Sequence, residues 1–314
     1  MRPGFDTVIR VKSPIHQEKL GSKPGLRLRV VVEGPLSDQD ARYVADYAKH
    51  YDYVSICIPN DCPAFSISFL QYFPYLKDFD LLDWRFDQFD DLQFLPTGLE
   101  SLSLAKTRSK KLSLRFLEPY SQLKRLAIED HQRDIAALSY LGALESLTLR
   151  SLTLPDLDVL RSLTSLRSLA IKLGGTKNLS ALPGIGRLQY LEVWLVRGLN
   201  DLSVLTELQN LQYLKLQALR NVAHLPLFSR HLGLRRVVLD TMRGVLDLRP
   251  VAAAPNLEEI GIVSMSQLQP TALLPFVGHP HLRAAIVGLG SDKKNKAVQE
   301  MLNLPAKFEP FQFS

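Results

Sequence analysis

The sequence predicts an α/β-type solenoid in which every repeat adds one short strand to a curved parallel β-sheet. Three observations carry that expectation. The phrases LQYLEVWLV (188–196) and LQYLKLQAL (211–219) lie 23 residues apart and differ mainly between their aliphatic letters. The spacing Leu-x-x-Leu-x-Leu recurs from Tyr53 through Leu76, Leu99, Leu123, Leu144, Leu166, Leu188, Leu211, Leu234 and Leu257 to Leu282, at intervals of 21–25 residues. Within each copy, apolar and variable positions alternate, the period of a strand with one buried face. A globular chain of 314 residues would divide into domains of about 100–200 residues, but a repeat protein escapes that limit because each unit packs only on its neighbours.

Over roughly residues 51–290 the chain resembles the leucine-rich repeat family, most clearly in LESLTLRSLTLPDLDVLRSLTS (144–165) and LQYLKLQALRNVAHLPLFSRHLG (211–233). The resemblance implies a concave parallel sheet, with short helices, 3₁₀ turns or extended segments on the convex side and a cap at each end. About eleven repeats, stacked at about 4.8 Å per strand, give a sheet on the order of 50 Å long.

Taken in order, residues 1–50 read as a strand-helix cap. GLRLRVVVEG (25–34) has strand character, and Ser37-Asp38-Gln39-Asp40 opens a helical pattern carrying Val44, Tyr47, Ala48 and Tyr51 on one face. In the repeats of 51–290 the template sends Leu214 and Leu216 inward and Tyr213, Lys215 and Gln217 outward. The family's commonest motif places Asn or Cys eight positions after the first leucine. Here that position holds His131, Leu152, Gly174, Val196, Leu219 and Met242, so the turn must be satisfied by backbone or filled by apolar packing. Asp156-Leu157 and Asp201-Leu202 mark turn or cap positions that introduce the convex leg. Residues 291–314 form the second cap: Ser291 precedes a helical pattern with Ala297, Val298, Met301 and Leu302, and Phe308, Phe311 and Phe313 are expected to close the core.

A net charge of +6 permits a polyanion partner without requiring one, because 38 basic residues are interspersed with 32 acidic ones. The densest basic run, Lys106-Thr107-Arg108-Ser109-Lys110-Lys111, is expected to be a solvated loop, and nucleic acid is disfavoured as a partner. Two cysteines, Cys57 and Cys62, fit buried thiols in a reducing cytoplasm. No signal peptide or transmembrane stretch is read, so the expected location is cytoplasmic and no membrane partner is expected.

Catalytic spacing is missing. There is no phosphate loop, H-E-x-x-H or G-x-S-x-G, so no catalytic residue, metal ligand or cofactor is assigned. His279-Pro280-His281 has no acidic or cysteine ligand nearby in sequence. Asp78, Asp80 and Asp83 form a secondary candidate patch for a cation or a basic partner, although such a row is more often a solvated face.

The principal candidate surface is the outward row of the later repeats. Tyr190, Glu192, Trp194, Tyr213, Lys215, Gln217, Arg236 and Asp240 combine aromatic and charged groups of the kinds enriched in binding hot spots. The competing reading is that Tyr190 and Tyr213 merely pack on each other across strands. The expected function is therefore non-enzymatic protein binding through the concave face by a chain that is monomeric when unbound, as an inhibitor, an adaptor or a bacterial immunity-type or effector protein. The alternatives are a cryptic enzymatic or ligase activity in the caps, and polyanion binding.

Overall fold

A computed structural model describes residues 4–15, 25–60, 62–176 and 178–313. Residues 1–3 and 16–24 of the expected first cap lie outside the described residues. The chain divides into two compact units, Met1–Leu144 and Glu145–Ser314.

The first unit carries strands β1 (Thr7–Val11), β2 (Arg27–Val32), β3 (Tyr53–Ile58), β4 (Asp78–Leu81), β5 (Ser101–Leu104) and β6 (Arg125–Glu129), paired in that order and all parallel. β2 is the strand read in GLRLRVVVEG, whereas β1 was not foreseen. Of its five residues, Thr7-Val8-Ile9-Arg10-Val11, only Val11 is buried. Helix α1 (Asp38–Ala48) begins where the sequence places it: the Ser37 hydroxyl accepts from the Asp40 amide at 3.2 Å, and Asp38 and Asp40 sit at the positive end of the helix dipole. Its Ala41, Val44, Ala45 and Ala48 are buried.

The second unit carries β7 (Ser146–Arg150), β8 (Ser168–Lys172), β9 (Tyr190–Trp194), β10 (Tyr213–Gln217), β11 (Arg236–Asp240), β12 (Glu259–Val263) and β13 (Ala284–Val287), again parallel and in sequence order. The inward leucines form unbroken rows: Leu147, Leu169, Leu191, Leu214, Val237 and Ile260 are register partners, all fully buried. The opposite legs take all three forms expected of them. They are 3₁₀ turns such as Ser203–Glu207 and Pro270–Phe276, one short helix α2 (Arg249–Ala252), and an irregular stretch between β10 and β11. Asp156 and Asp201 accept from the amides two residues on, Asp158 at 3.0 Å and Ser203 at 2.8 Å. That makes them Asx turns rather than helix caps.

A backbone device replaces the missing asparagine ladder. Immediately after β7 to β12 come Ser151, Leu173, Leu195, Ala218, Thr241 and Ser264, all with positive φ. The left-handed twist turns each amide toward the next repeat: Leu173 donates to the Trp194 carbonyl, Leu195 to Gln217 and Ala218 to Asp240, at 2.8, 2.8 and 2.9 Å. Non-glycine residues bear a cost of roughly 1–2 kcal/mol each in this region, which the inter-repeat bond and adjacent burial offset. Leu152, Val196, Leu219 and Met242 follow these turns and are buried, so apolar packing does fill the position. Gly174 is needed there, since a Cβ would sit 2.1 Å from the Leu152 carbonyl oxygen.

In the first unit the same position belongs to His131, buried with Nε2 3.1 Å from the Ala105 carbonyl oxygen. Burial holds its pKa below the ordinary imidazole value of about 6.5 despite that carbonyl. Below about pH 6.5 the unfolded chain therefore binds the proton more readily than the folded one, and stability is lost as pH falls toward the folded pKa. In denaturant titrations the stability gap between the wild type and His131→Leu should shift against the wild type on going from pH 7.5 to 5.5 by about 1 kcal/mol or less per unit of pH. A gap independent of pH would show that His131 is not held neutral.

Helix α3 (Asp292–Leu302) closes the second unit, with the Ser291 hydroxyl accepting from the Lys294 amide and Asn303 ending it at φ +50°. Of the four apolar residues expected on its packed face only Val298 is buried; Ala297 is exposed and Met301 and Leu302 are half-buried. The three phenylalanines that follow do not close the core. They cross the outward face of the sheet.

Candidate interaction face

In the second unit the outward residues align as the repeat spacing requires. Tyr190, Tyr213, Arg236 and Glu259 are register partners; so are Glu192, Lys215, Val238 and Gly261, and likewise Trp194, Gln217, Asp240 and Val263. A single shared register thus turns variable letters into three rows across neighbouring strands.

The middle of the face is an ion-pair cluster. Glu192 is only 4% exposed and lies between Lys172 at 2.6 Å and Lys215 at 2.9 Å, with the Tyr190 hydroxyl donating to it at 3.0 Å. Burial opposes its ionisation, but the two ammonium groups outweigh that and hold its pKa below the usual carboxylate value. The Tyr190 phenol is pushed up, first by burial and then by the Glu192 charge. Arg236 is likewise buried and pairs with Glu259. Next to it Arg235 grips Glu258 through two nitrogens at 2.8 and 3.2 Å, and Arg283 reaches Glu258 at 2.8 Å. Glu192 and Arg236 are therefore internal organisers of this face. Asp240 accepts from the Thr241 hydroxyl at 2.7 Å and stays half-buried, as does Gln217.

The aromatic residues divide in two. Tyr190 and Tyr213 do pack on each other, edge to face with centroids 5.0 Å apart, and also meet further rings. Phe311 lies 5.3 Å from Tyr213, Phe313 lies 6.5 Å from Tyr190, and Phe308 stacks on the Arg236 guanidinium at 4.8 Å. Trp194 stands apart, half-buried, with Arg150 stacked at 5.4 Å. Arg235, Glu258 and the crossing segment were not read from the sequence as parts of this face. The trace they left was three phenylalanines at short spacing in the otherwise polar AKFEPFQFS.

In the first unit Asp78, Asp80 and Asp83 come close in sequence but do not form a solvated row. All three are buried: Asp80 pairs with Arg29 at 2.8 Å, Asp78 accepts from Ser55 at 3.0 Å, and Asp83 accepts from the Arg85 amide at 3.1 Å. The long Arg29 side chain reaches over the strands to Asp80 and so covers a carboxylate that alternation alone would leave wet, while Arg27 beside it stacks on Tyr53 at 4.1 Å. The basic run 106–111 is a loop, and its Lys106 and Lys110 both pair with Asp130. Cys57 and Cys62 are buried thiols. His279 sits 2.9 Å from the Ala254 carbonyl oxygen through Nε2. Among the described residues no group of three His, Cys, Asp or Glu side chains is placed to hold a metal ion, and no helix is long and apolar enough to cross a membrane.

One parallel strand per repeat, an aliphatic inward ladder and short 3₁₀ legs define the leucine-rich repeat fold. No protein-family model matches the sequence, and no curated protein matches it. Among solved structures the chain is similar to the internalin InlF of Listeria monocytogenes, at 18% identity and a TM-score of 0.61, over 94% of this chain and 90% of that one. It is also similar to TLR13 in a complex with ssRNA13, at 17% identity and a TM-score of 0.56, over 88% of this chain and 45% of that one. A third likeness is to a structure of the mouse RP105/MD-1 complex, at 14% identity and a TM-score of 0.55, over 84% of this chain and 55% of that one. At these identities the likeness is one of fold.

Proposed function

We propose that this protein is a non-catalytic binding module that holds a partner protein on the outward face of β8–β12 and acts by occupying it, as an inhibitor, adaptor or immunity-type protein does. One observation carries the reading: this face already holds an extended polypeptide, the chain's own residues 305–313, through ring contacts and hydrogen bonds from arginine to backbone carbonyls. A surface that grips one extended segment through its rings and its backbone carbonyls has the chemistry to grip another. Tyr, Trp and Arg, the side chains that dominate protein interfaces, are concentrated here. The RP105/MD-1 structure is of a complex between two proteins on a fold of this kind, which agrees with the reading. A polyanion reading is less favoured because Lys106 and Lys110 of the basic run share the Asp130 carboxylate, which offsets part of their charge.

Trp194 and Gln217 lie at one margin of the face, away from the phenylalanines, and serve for the test. A stoichiometric partner captured by the wild type should bind a Trp194→Ala, Gln217→Ala variant about tenfold or more weakly, the loss of roughly one hot-spot residue, with circular dichroism unchanged. Equal retention by both proteins would remove the interface from this face.

A further inference from the structure

Residues 304–313 follow α3 and form no regular secondary structure among those described. Their path is nevertheless specific. The Pro305 carbonyl accepts from the Ala285 amide at 3.0 Å, which starts the segment at β13. Phe308 then settles on Arg236 beside Gly261, whose missing side chain leaves the space: a Cβ there would lie 3.4 Å from the Phe308 ring and 3.2 Å from Val238. Phe311 reaches Tyr213 on β10, and Phe313 reaches Tyr190 on β9. From β12 to β9 is three strand spacings, about 14 Å, and five extended residues span about 17 Å, so an extended chain crosses one strand after another without slack. Two backbone carbonyls are fixed on the way, Glu309 by Arg236 at 2.6 Å and Gln312 by Arg235 at 3.0 Å.

The hold is shallow. Lys307, Glu309, Pro310 and Gln312 are exposed, Phe308 and Phe311 are only half-buried, and Phe313 is 47% exposed. Beneath them Arg236, Glu259 and Glu192 are buried and already paired with one another or with neighbouring lysines. These ion pairs are made between the strands themselves, and the segment adds to them only the Arg236 bond to the Glu309 carbonyl and the ring contacts. A segment with so little buried area and no ladder hydrogen bonds belongs to the low-stability end of a structure, where local release is easy.

We propose that residues 304–313 are a displaceable internal occupant of the β9–β12 face. The groove beneath them selects an extended partner segment with aromatic side chains at the spacing Phe308-x-x-Phe311-x-Phe313, its backbone carbonyls meeting Arg235 and Arg236. The inference deepens the binding reading above and rests on it for biological meaning, but the groove's chemistry is measurable without any partner. An occupant tethered by a short linker competes at an effective concentration near millimolar, and an incoming ligand's apparent affinity falls by the fraction of molecules in which the groove is open.

The test uses the full chain and a fluorescent peptide of sequence LPAKFEPFQF, with a scrambled peptide as control, read by fluorescence polarisation. The peptide should bind a Phe308→Ala, Phe311→Ala variant about tenfold more tightly than the wild type, because truncating both rings vacates the groove. Adding Tyr213→Ala to that variant should weaken the peptide about tenfold again, while circular dichroism stays unchanged. Equal affinity for wild type and double variant, binding to neither, or indifference to Tyr213→Ala would each overturn the proposal. A captured partner that ignores Trp194→Ala would defeat the broader reading while leaving the peptide result standing, so the two failures are distinguishable.

Discussion

Leu214→Ala is expected to destabilise the second unit by about 2–5 kcal/mol. Leu214 is fully buried on β10, with Leu191 and Val237 as its register partners on either side. Removing its isobutyl group forfeits the transfer energy of the lost carbons, and the remaining cavity adds a cost set by how far the surroundings collapse. Collapse is restricted here because each neighbouring strand is fixed in register by its own ladder. The bonds from Leu195 to Gln217 and from Ala218 to Asp240 pin the turns immediately after β9 and β10. A substitution in the upper half of that range is therefore favoured over one near the lower limit. Guanidinium unfolding of Leu214→Ala against Gln217→Ala, three positions along and outward, separates inward from outward roles on the same strand. A loss below about 1 kcal/mol for Leu214→Ala would mean that the stack closes over the cavity and that the inward rows are not rigid.

What the sequence disclosed about the fold follows from the same rigidity. A strand whose inward residues must meet the identical row in the next repeat leaves a periodic aliphatic imprint, and Tyr53 to Leu282 carried it. Ser37 and Ser291 were legible because a helix start needs an acceptor for its free amides, and few side chains supply one. β1 was not legible because Thr7–Val11 lies outside the repeat period, which begins at Tyr53. Alternation placed Glu192, Arg236, Asp78 and Asp80 correctly on the outward face but could not tell how wet that face is. Lys172 and Lys215 close on Glu192 from the adjacent strands, and Arg29 closes on Asp80 from across β3, all through long side chains. Pairing of that kind joins residues 20, 23 and 51 positions apart in these three cases, and it becomes visible only when the register is applied to charges as well as to leucines. The phenylalanines misled for a related reason. Hydrophobicity predicts that Phe308, Phe311 and Phe313 will be covered, and does not say by which face.

Arg236→Ala should destabilise the second unit by about 3 kcal/mol, at the lower end of what removing one member of a buried ion pair costs. Arg236 and Glu259 face each other from register-partner positions on β11 and β12, with the arginine side chain 8% and the glutamate side chain 4% exposed. Truncating the arginine strands a carboxylate in a dry setting, with Arg283 at 3.6 Å as a remaining cation, which is why the lower end applies. The same change removes the stacking surface of Phe308 and Phe311 and the donor to the Glu309 carbonyl, so the crossing segment should loosen together with the pair. Arg249→Ala is the natural comparison: its pair with Asp247 spans 2.8 Å but is open to water, and its loss should cost far less than that of Arg236. The sharper measurement is the double replacement Arg236→Met, Glu259→Met. With both charges gone no ion is left unpaired, and most of the stability lost in Arg236→Ala should return. A double variant as unstable as the single one would assign the cost to the lost ring stacking and packing, and would make the crossing segment, not the ion pair, the main support of this part of the sheet.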